Sequence, residues 1–451
     1  MSRFSHLRAL VLGVGAVLAI LGFARLAASQ IPTTLPAHTT WALTATGLLS
    51  QPIADSTPNA AQLRRGQYLV VAGDCMSCHV RDGGEPLAGG LGLKTPFGVI
   101  YSANITSDRQ TGIGSWTNDQ FYHAMHDGIG VHGENLYPAF PYPWFRRASR
   151  DDDDAIFAYL KITPAINYTP PANDLPFPLN FRSMVKGWNL LFLNSHDFQS
   201  DPSQSGEWNR GAYIVNGLGH CGGCHTPKNA LGADRSNQDF YGAKLDNWVA
   251  PDLTRNDRTG LGGWGIDDVA EYLRNGRNAH AGAGGAMAEV VTYSTSLMSD
   301  EDRHAMAVYL KSQAASPSII HGQPDSGAMG RGAAIYSDGC ASCHLADGVG
   351  QPRFLPPLGH NAMLQQADPT GLEHLILAGA RIGTSSSRPS PLTMPSFAWK
   401  LSDNEIADVA TYLRNSWGNQ AAAVSVAEVR DVRQRLGLET LHLTVNSGDQ
   451  N

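Results

Sequence analysis

Hydrophobic and polar positions divide the chain into a leader, a polar spacer and a long body of recurring helical stretches. Residues 1–8 carry Arg3, His6 and Arg8, and an uncharged apolar run from Ala9 to Ala24 follows, closed by Arg25, Ala27, Ala28 and Ser29. A basic lead, an apolar middle and a small-residue end predict an export signal. The run is longer than a minimal signal core and shorter than a comfortable span, so residues 1–29 are expected to be either a cleaved signal peptide or a retained N-terminal anchor helix. Residues 30–59, polar and rich in Pro, Thr and Ser, predict a spacer. No second apolar run of that length follows, so any other membrane contact is expected to be peripheral. The body is then expected to lie on the periplasmic face of a bacterial inner membrane.

Three stretches of the body follow one plan. Each opens with a helical segment carrying a glycine (Gly66, Gly211, Gly332) and closes with a helix bearing an aromatic and a basic residue: Tyr159-Leu160-Lys161, Tyr309-Leu310-Lys311 and Tyr412-Leu413-Arg414. A glycine on one helix lets an aromatic on another cross it closely, which predicts that the ends of each stretch meet. Polar caps introduce the closing helices, Ser299 with Asp302 and Ser402 with Glu405. The run Asp151 to Asp154 occupies the same place in the first stretch and predicts an acidic first turn favoured by the helix dipole rather than a calcium site. Asn104-Ile105-Thr106 with Thr111 to Trp116 recurs as Asp252-Leu253-Thr254 with Thr259 to Trp264, at a constant offset of 148 residues. The first two stretches therefore resemble each other more than the third.

Length agrees with three units, since 451 residues at roughly 150 per domain predict three domains. With 42% hydrophobic residues the chain is too apolar for disorder, and a net charge of −7 without a basic face argues against a nucleic-acid partner. Low charge with 48 glycines and 26 prolines suggests loop-rich domains held by something besides long regular elements.

The six cysteines show what that is. All fall in three copies of one pattern: Cys75-Met76-Ser77-Cys78-His79, Cys221-Gly222-Gly223-Cys224-His225 and Cys340-Ala341-Ser342-Cys343-His344. Cys-x-x-Cys-His is the pattern of covalent heme attachment, in which two thiols reach the vinyl groups and the imidazole becomes the proximal iron ligand. A zinc site needs paired Cys-x-x-Cys units and leaves one of three unmatched. A thioredoxin-like pair does not require the histidine. The expectation is three covalently bound heme c groups, with Cys75, Cys78, Cys221, Cys224, Cys340 and Cys343 as anchors and His79, His225 and His344 as ligands.

Methionine is the usual second axial ligand of a higher-potential heme. Met287, 62 residues after His225, and Met394, 50 residues after His344, are the candidates, while Met298, Met306 and Met363 read as packing. Met394 stands in Pro391-Leu392-Thr393-Met394-Pro395, a segment expected to be irregular. In the first stretch the matching position, 61 residues after His79, holds Phe140, which cannot ligate iron. Met125, His123, His126 and His132 lie nearby, although Met125 and His126 sit in a helical stretch whose counterpart before Gly276 supplies no ligand. Three readings stay open: a local substitute such as His132, a ligand from another domain, or a five-coordinate iron. The five-coordinate or weakly ligated site is the expectation, because no insertion is seen that would remodel the loop.

From about Leu63 to about Arg435 the sequence resembles the three-heme cytochrome c subunits of membrane-bound periplasmic dehydrogenases, the alcohol, gluconate, sorbitol and aldehyde dehydrogenase cytochromes. The resemblance rests on Gly73 to His79, Thr95-Pro96-Phe97-Gly98, Trp208 to Tyr213, Gly219 to Pro227, Met394-Pro395-Ser396-Phe397 and Arg414 to Asn419. It implies a mainly α, loop-rich fold of three tandem class I cytochrome c domains at 60–170, 205–315 and 326–420. Linkers at 171–204 and 316–325 and a C-terminal extension at 421–451 complete the expected organisation. It also implies the axial roles of Met287 and Met394, and electron flow from a catalytic dehydrogenase subunit to ubiquinone or a terminal oxidase. Leu175 to Phe181, continuing to Leu193, is similar to cytochromes paired with flavin or molybdenum dehydrogenases. Phe140 departs from the methionine of the alcohol and gluconate branches and is similar to cytochromes of molybdenum-dependent aldehyde or N-heterocycle dehydrogenases. A molybdenum aldehyde-type partner is therefore expected first and a flavin type next, with a small iron-sulfur or accessory subunit as a further component.

The chain itself is expected not to be an enzyme: it has no G-x-G-x-x-G after a strand, no phosphate loop and no cysteine left for an iron-sulfur cluster. The rival is a peroxidase-type enzyme using an open first heme, with His126, His132, Arg146 and Arg147 as the distal groups at hand.

Overall fold

The structure, a computed structural model, describes residues 45–193 and 197–438. The leader at 1–29 and the first half of the spacer, 30–44, lie outside the described residues.

The first repeat runs α1 (Ala60–Ala72), α2 (Cys75–Cys78), β1 (Gly92–Thr95), β2 (Gly98–Tyr101), α3 (Asn118–Asp127), α4 (Tyr142–Phe145) and α5 (Arg150–Leu160). A connecting segment carries α6 (Ser183–Phe192). The second repeat has the same order: α7 (Gly206–Asn216), α8 (Cys221–His225), β3 (Ala243–Leu245), β4 (Trp248–Ala250), α9 (Ile266–Asn275), α10 (Ala286–Tyr293) and α11 (Asp300–Lys311). The third is α12 (Ser326–Gly339), α13 (Ala341–His344), α14 (Thr370–Ala378), β5 (Ala380–Arg381), β6 (Thr393–Met394) and α15 (Asp403–Leu413), followed by α16 (Val426–Arg435). Each strand pair is a separate antiparallel hairpin, so the helices carry the cores.

The opening and closing helices cross at the predicted glycines. A Cβ on Gly66 would fall onto the Ala155 carbonyl and 2.9 Å from Tyr159 Cβ; on Gly211 it would meet Ala305 and, at 2.9 Å, Tyr309 Cβ; on Gly332 it would meet Asp408 and, at 2.6 Å, Tyr412 Cβ. The caps also form. Ser149, Ser299 and Ser402 accept from the backbone N–H groups of Asp152 (3.2 Å), Asp302 (3.1 Å) and Glu405 (3.4 Å), and Glu405 completes a capping box. The Asp151 to Asp154 run is no calcium cage: Asp152 binds Arg65, Asp153 lies 3.0 Å from His126, and Asp154 binds Arg150. The closing Lys161 and Lys311 donate to the matching loop carbonyls of Gly114 and Gly262, tying each closing helix to the repeated Thr-Gly turn.

The third repeat is finished differently. Val429 and Val432 of α16, in the segment beyond residue 420, enter its core. Arg433, fully buried, pairs with Asp403 at 2.7 Å and donates to the Ala398 and Leu401 carbonyls. Among the described residues no helix is long and apolar enough to cross a membrane. The connecting segment instead exposes Phe177, Phe181, Met184, Leu190 and Leu191 in one neighbourhood, while Val185 of α6 faces inward.

Candidate functional site

One helical turn places two cysteines three residues apart on the same face and brings the next residue beside them, which is why the attachment motif needs its spacing. In the first two repeats the turn starts from a left-handed residue, Asp74 (φ 51°) before α2 and His220 (φ 36°) before α8. In the third, α12 runs to Gly339 and Cys340 itself caps α13. None of the six cysteines forms a disulfide. Burial pushes the Cys75 and Cys221 thiols up to about 12 and raises Cys78, Cys224 and Cys340 as well. Among the described residues no group of three or more His, Cys, Asp or Glu is placed to hold a metal ion.

The histidines are oriented from behind. His79 Nδ1 lies 2.7 Å from the Ala103 carbonyl and His225 Nδ1 2.6 Å from the Pro251 carbonyl, and burial lowers the pKa of both rings. A neutral imidazole whose Nδ1–H donates to a carbonyl keeps its Nε2 lone pair for iron. Ala103 and Pro251 immediately precede Asn104 and Asp252, so the segment repeated at offset 148 is the one that presents this carbonyl. Asn104 Oδ1 accepts from the Thr106 N–H at 3.0 Å and Asp252 Oδ1 from the Thr254 N–H at 2.6 Å, which locks the two loops alike. His344 differs: its ring is also lowered by burial, but its Nδ1 is buried without a hydrogen-bond partner. Two cysteine thiols and an imidazole in each turn are a donor set that fits heme c.

Of the candidate second ligands, Met287 lies in the first turn of α10 after Gly285, whose φ of 57° and contact with the Trp248 indole leave no room for a side chain. Met394 lies on β6 opposite Ala380, not in an irregular segment, and packs with Cys340 and Phe397 against the third core. Both methionines are half-buried, whereas Met298 and Met306 are buried in the packing.

Phe140 holds the place of Met287. The Leu136 N–H bonds to the Gly128 carbonyl and the Ala283 N–H to the Gly276 carbonyl, each at 2.7 Å; Phe140 and Met287 each follow four residues later. Between those anchors the first repeat has one residue more, a small insertion in the turn around His132 that the sequence reading did not see. None of the local substitutes stands at this position. Met125 is buried in α3; His126 is stacked on Tyr122, 3.0 Å from Asp153 and 3.1 Å from the Ala148 carbonyl; His123 pairs with Asp127; His132 is exposed. The peroxidase reading thereby loses His126, and also Arg147, which lies over Trp144 and donates to the Asn216 carbonyl at 3.0 Å.

The first two sites interlock. Trp144 of α4 presses on Gly222, between Cys221 and Cys224, and Phe145 meets the His220 ring edge-on at 5.3 Å. Reciprocally, α10 packs against α2, and the Cys224 thiol and Asp74 carboxyl are among the groups that raise Cys78. A second reciprocal pair joins the opening helix of each repeat to the closing helix of the other. Tyr68 of the first repeat donates to Asp302 of the second at 2.6 Å, and Tyr213 of the second donates to Asp152 of the first at 2.6 Å. Each aspartate also holds its own repeat's arginine, Arg210 or Arg65. The sequence reading missed these tyrosines; the signal was Arg-x-x-Tyr at 65–68 and again at 210–213.

A family model for cytochrome c matches residues 329–417, within the third repeat. Over 405 residues the chain is 39% identical to the gluconate 2-dehydrogenase cytochrome c subunit of Pantoea cypripedii, covering 85% of this chain and 92% of that protein. It is 41% identical over 394 residues to the cytochrome c subunit of the alcohol dehydrogenase (quinone) of Gluconobacter oxydans strain 621H, covering 83% and 82%. It is 38% identical over 391 residues to a nicotinate dehydrogenase subunit of Pseudomonas putida strain KT2440, covering 82% of this chain and 32% of that longer protein. Identity of this order over nearly the whole length of the gluconate and alcohol dehydrogenase cytochromes means that the chain belongs to the family of dehydrogenase cytochrome c subunits.

Proposed function

We propose that the chain is the electron-transfer subunit of a membrane-bound periplasmic dehydrogenase and not the site of substrate oxidation. It is built as three class I cytochrome c domains at 60–170, 205–315 and 326–420, the third completed by α16 of the following segment. Cys75 with Cys78, Cys221 with Cys224 and Cys340 with Cys343 anchor three hemes. His79, His225 and His344 are the proximal ligands; Met287 and Met394 complete the second and third sites, and Phe140 leaves the first without an in-register ligand. Heme c, when bound, supplies reversible one-electron chemistry.

The observation that carries this reading is the reciprocal seating of the first two attachment turns, with Trp144 on Gly222 and α10 on α2. It holds two attachment sites in one packed unit, as a fixed relay requires and a freely diffusing carrier does not. A catalytic dehydrogenase is the partner. The relatives act in gluconate, alcohol and nicotinate dehydrogenases, and Phe140 favours a molybdenum-type partner over a flavin type. Ubiquinone is the acceptor that a membrane location implies. That location is supported by the apolar run Ala9 to Ala24 and by the exposed Phe177, Phe181, Met184, Leu190 and Leu191, which with Arg182 and Lys186 form a surface suited to lie on lipid.

Purification from membranes tests this reading. The chain is expected to copurify with a catalytic subunit, to contain three hemes, and, once separated, to be reducible without dehydrogenase turnover. Turnover by the separated chain would overturn it.

A further inference from the structure

A cleft of about 520 Å³ opens between the second and third repeats, lined by Arg274, Asn275 and Arg277 on one side and Phe354, Ser387 and Arg388 on the other. Its charge is one-sided. Arg274 lies 3.5 Å from Asp300, and Arg388 lies 3.8 Å from Glu271, a carboxylate that Arg353 already holds at 2.7 Å. Arg277 has no acidic partner among the described residues, although it is only 8% exposed. Its Nε is buried without any hydrogen-bond partner, and its guanidinium lies 5.7 Å from the centre of the Phe354 ring. Burial and the neighbouring Arg388 both act against its charge.

An arginine keeps its proton in a protein, so a buried guanidinium with an unpaired nitrogen is a costly arrangement unless an anion completes it. The planar fork of the guanidinium matches a carboxylate, and Arg388 at the rim supplies further donors. Ser387 is held there by a 3.0 Å bond to Asn275, which ties the third repeat's hairpin to the end of α9.

We propose that this cleft is a carboxylate-binding site completed by Arg277. Its position names one source. Phe354 lies on the segment that follows His344, and Ser387 and Arg388 on the segment that leads to Met394, so the propionates of a heme held by those two ligands are one carboxylate within the same repeat. A small free carboxylate entering from solvent is the other. The first source rests on the heme reading above; the second does not.

The experiment uses the heme-loaded full chain, its hemes counted spectroscopically, with Arg277→Gln, Arg277→Lys and the rim variant Arg388→Gln. Redox titration reads the three midpoint potentials, and calorimetry reads binding of succinate. If a propionate fills the cleft, Arg277→Gln lowers one of the three potentials, Arg277→Lys restores it in part, and succinate does not bind the parent. If a free carboxylate fills it, succinate binds the parent one to one and binds Arg277→Gln about tenfold more weakly or worse, with all three potentials unchanged. Should Arg277→Gln fail to fold, Arg388→Gln is read in the same two ways. Unchanged potentials together with no succinate binding to the parent would overturn the proposal. A count other than three hemes would instead overturn the heme reading and leave the succinate arm standing.

Discussion

The first and second repeats are built on one frame and diverge at one side chain. Both cross their end helices at a glycine, both hold the histidine of the Cys-x-x-Cys-His turn by the carbonyl before the repeated Asn/Asp-x-Thr loop, and each lends the other a tyrosine. Yet Met287 of the second is Phe140 in the first. The phenylalanine is not a misfit: its ring packs 5.5 Å from Phe145 and 6.3 Å from Tyr142, so it serves as a packing residue. Tyr142 in turn is fully buried and bonds Asn189 of α6. The helix crossings, the histidine carbonyls and the tyrosine pairs do not involve the distal position, so the side chain there can differ between the repeats without loss of the frame.

The frame is the strongest part of the comparison, and breaking it has the largest expected effect. Gly211→Val places branched carbons where the Ala305 backbone and Tyr309 Cβ already stand. Backbone cannot yield as a flexible side chain can, so a cost of about 3 kcal/mol or more is expected, read as a lower urea midpoint and a poor yield of heme-loaded protein. Gly66→Val should cost the same. Tolerance of one but not the other would mean that the two crossings are not equivalent.

Exchange at the distal position sharpens the comparison while leaving the frame intact. Phe140→Met is expected to give the first heme methionine–histidine ligation and to raise its potential, and to abolish carbon monoxide binding at that heme. Met287→Phe should do the reverse at the second, so that two hemes of three bind carbon monoxide. If Phe140→Met leaves spectrum and potential unchanged, the correspondence of the two positions is wrong.

What the sequence made legible follows from how local each signal is. Attachment turns, caps and crossing glycines are written within a few residues, and the repeat at offset 148 showed that a loop was shared before its job, presenting a carbonyl to the histidine, was known. The hidden features join residues far apart in the chain. Tyr68 meets Asp302 and Arg277 meets Phe354 only after repeats pack, and no local periodicity marks either pair. The third repeat shows the same limit. Its sequence reads as an ordinary end, but Arg433 of α16 is buried against Asp403, which makes a segment beyond the expected domain part of that domain's core.

The smallest expected effect concerns the reciprocal tyrosines. Tyr68→Phe and Tyr213→Phe each remove one hydrogen bond to a buried carboxylate together with the acceptor of a backbone N–H, of Ser299 or Ser149, and should each cost about 1.5–3 kcal/mol; because Arg210 pairs with Asp302 and also lies 5.8 Å from the centre of the Tyr213 ring, the double variant should depart from a simple sum. For Asp302, burial alone would raise the pKa, but the hydrogen bonds from Arg210 and Tyr68 outweigh it and hold the carboxyl below its ordinary value. A depressed carboxyl contributes stability that is present above the unfolded value of about 3.9 and is lost as the pH falls through the folded value. Without the Tyr68 hydroxyl that depression weakens, so Tyr68→Phe should unfold at a higher pH in acid titration than the parent while losing its increment of stability at neutral pH. An unchanged acid midpoint would mean that Arg210 alone sets the charge of Asp302, and that Tyr68 holds the helices in register without tuning the carboxylate it reaches.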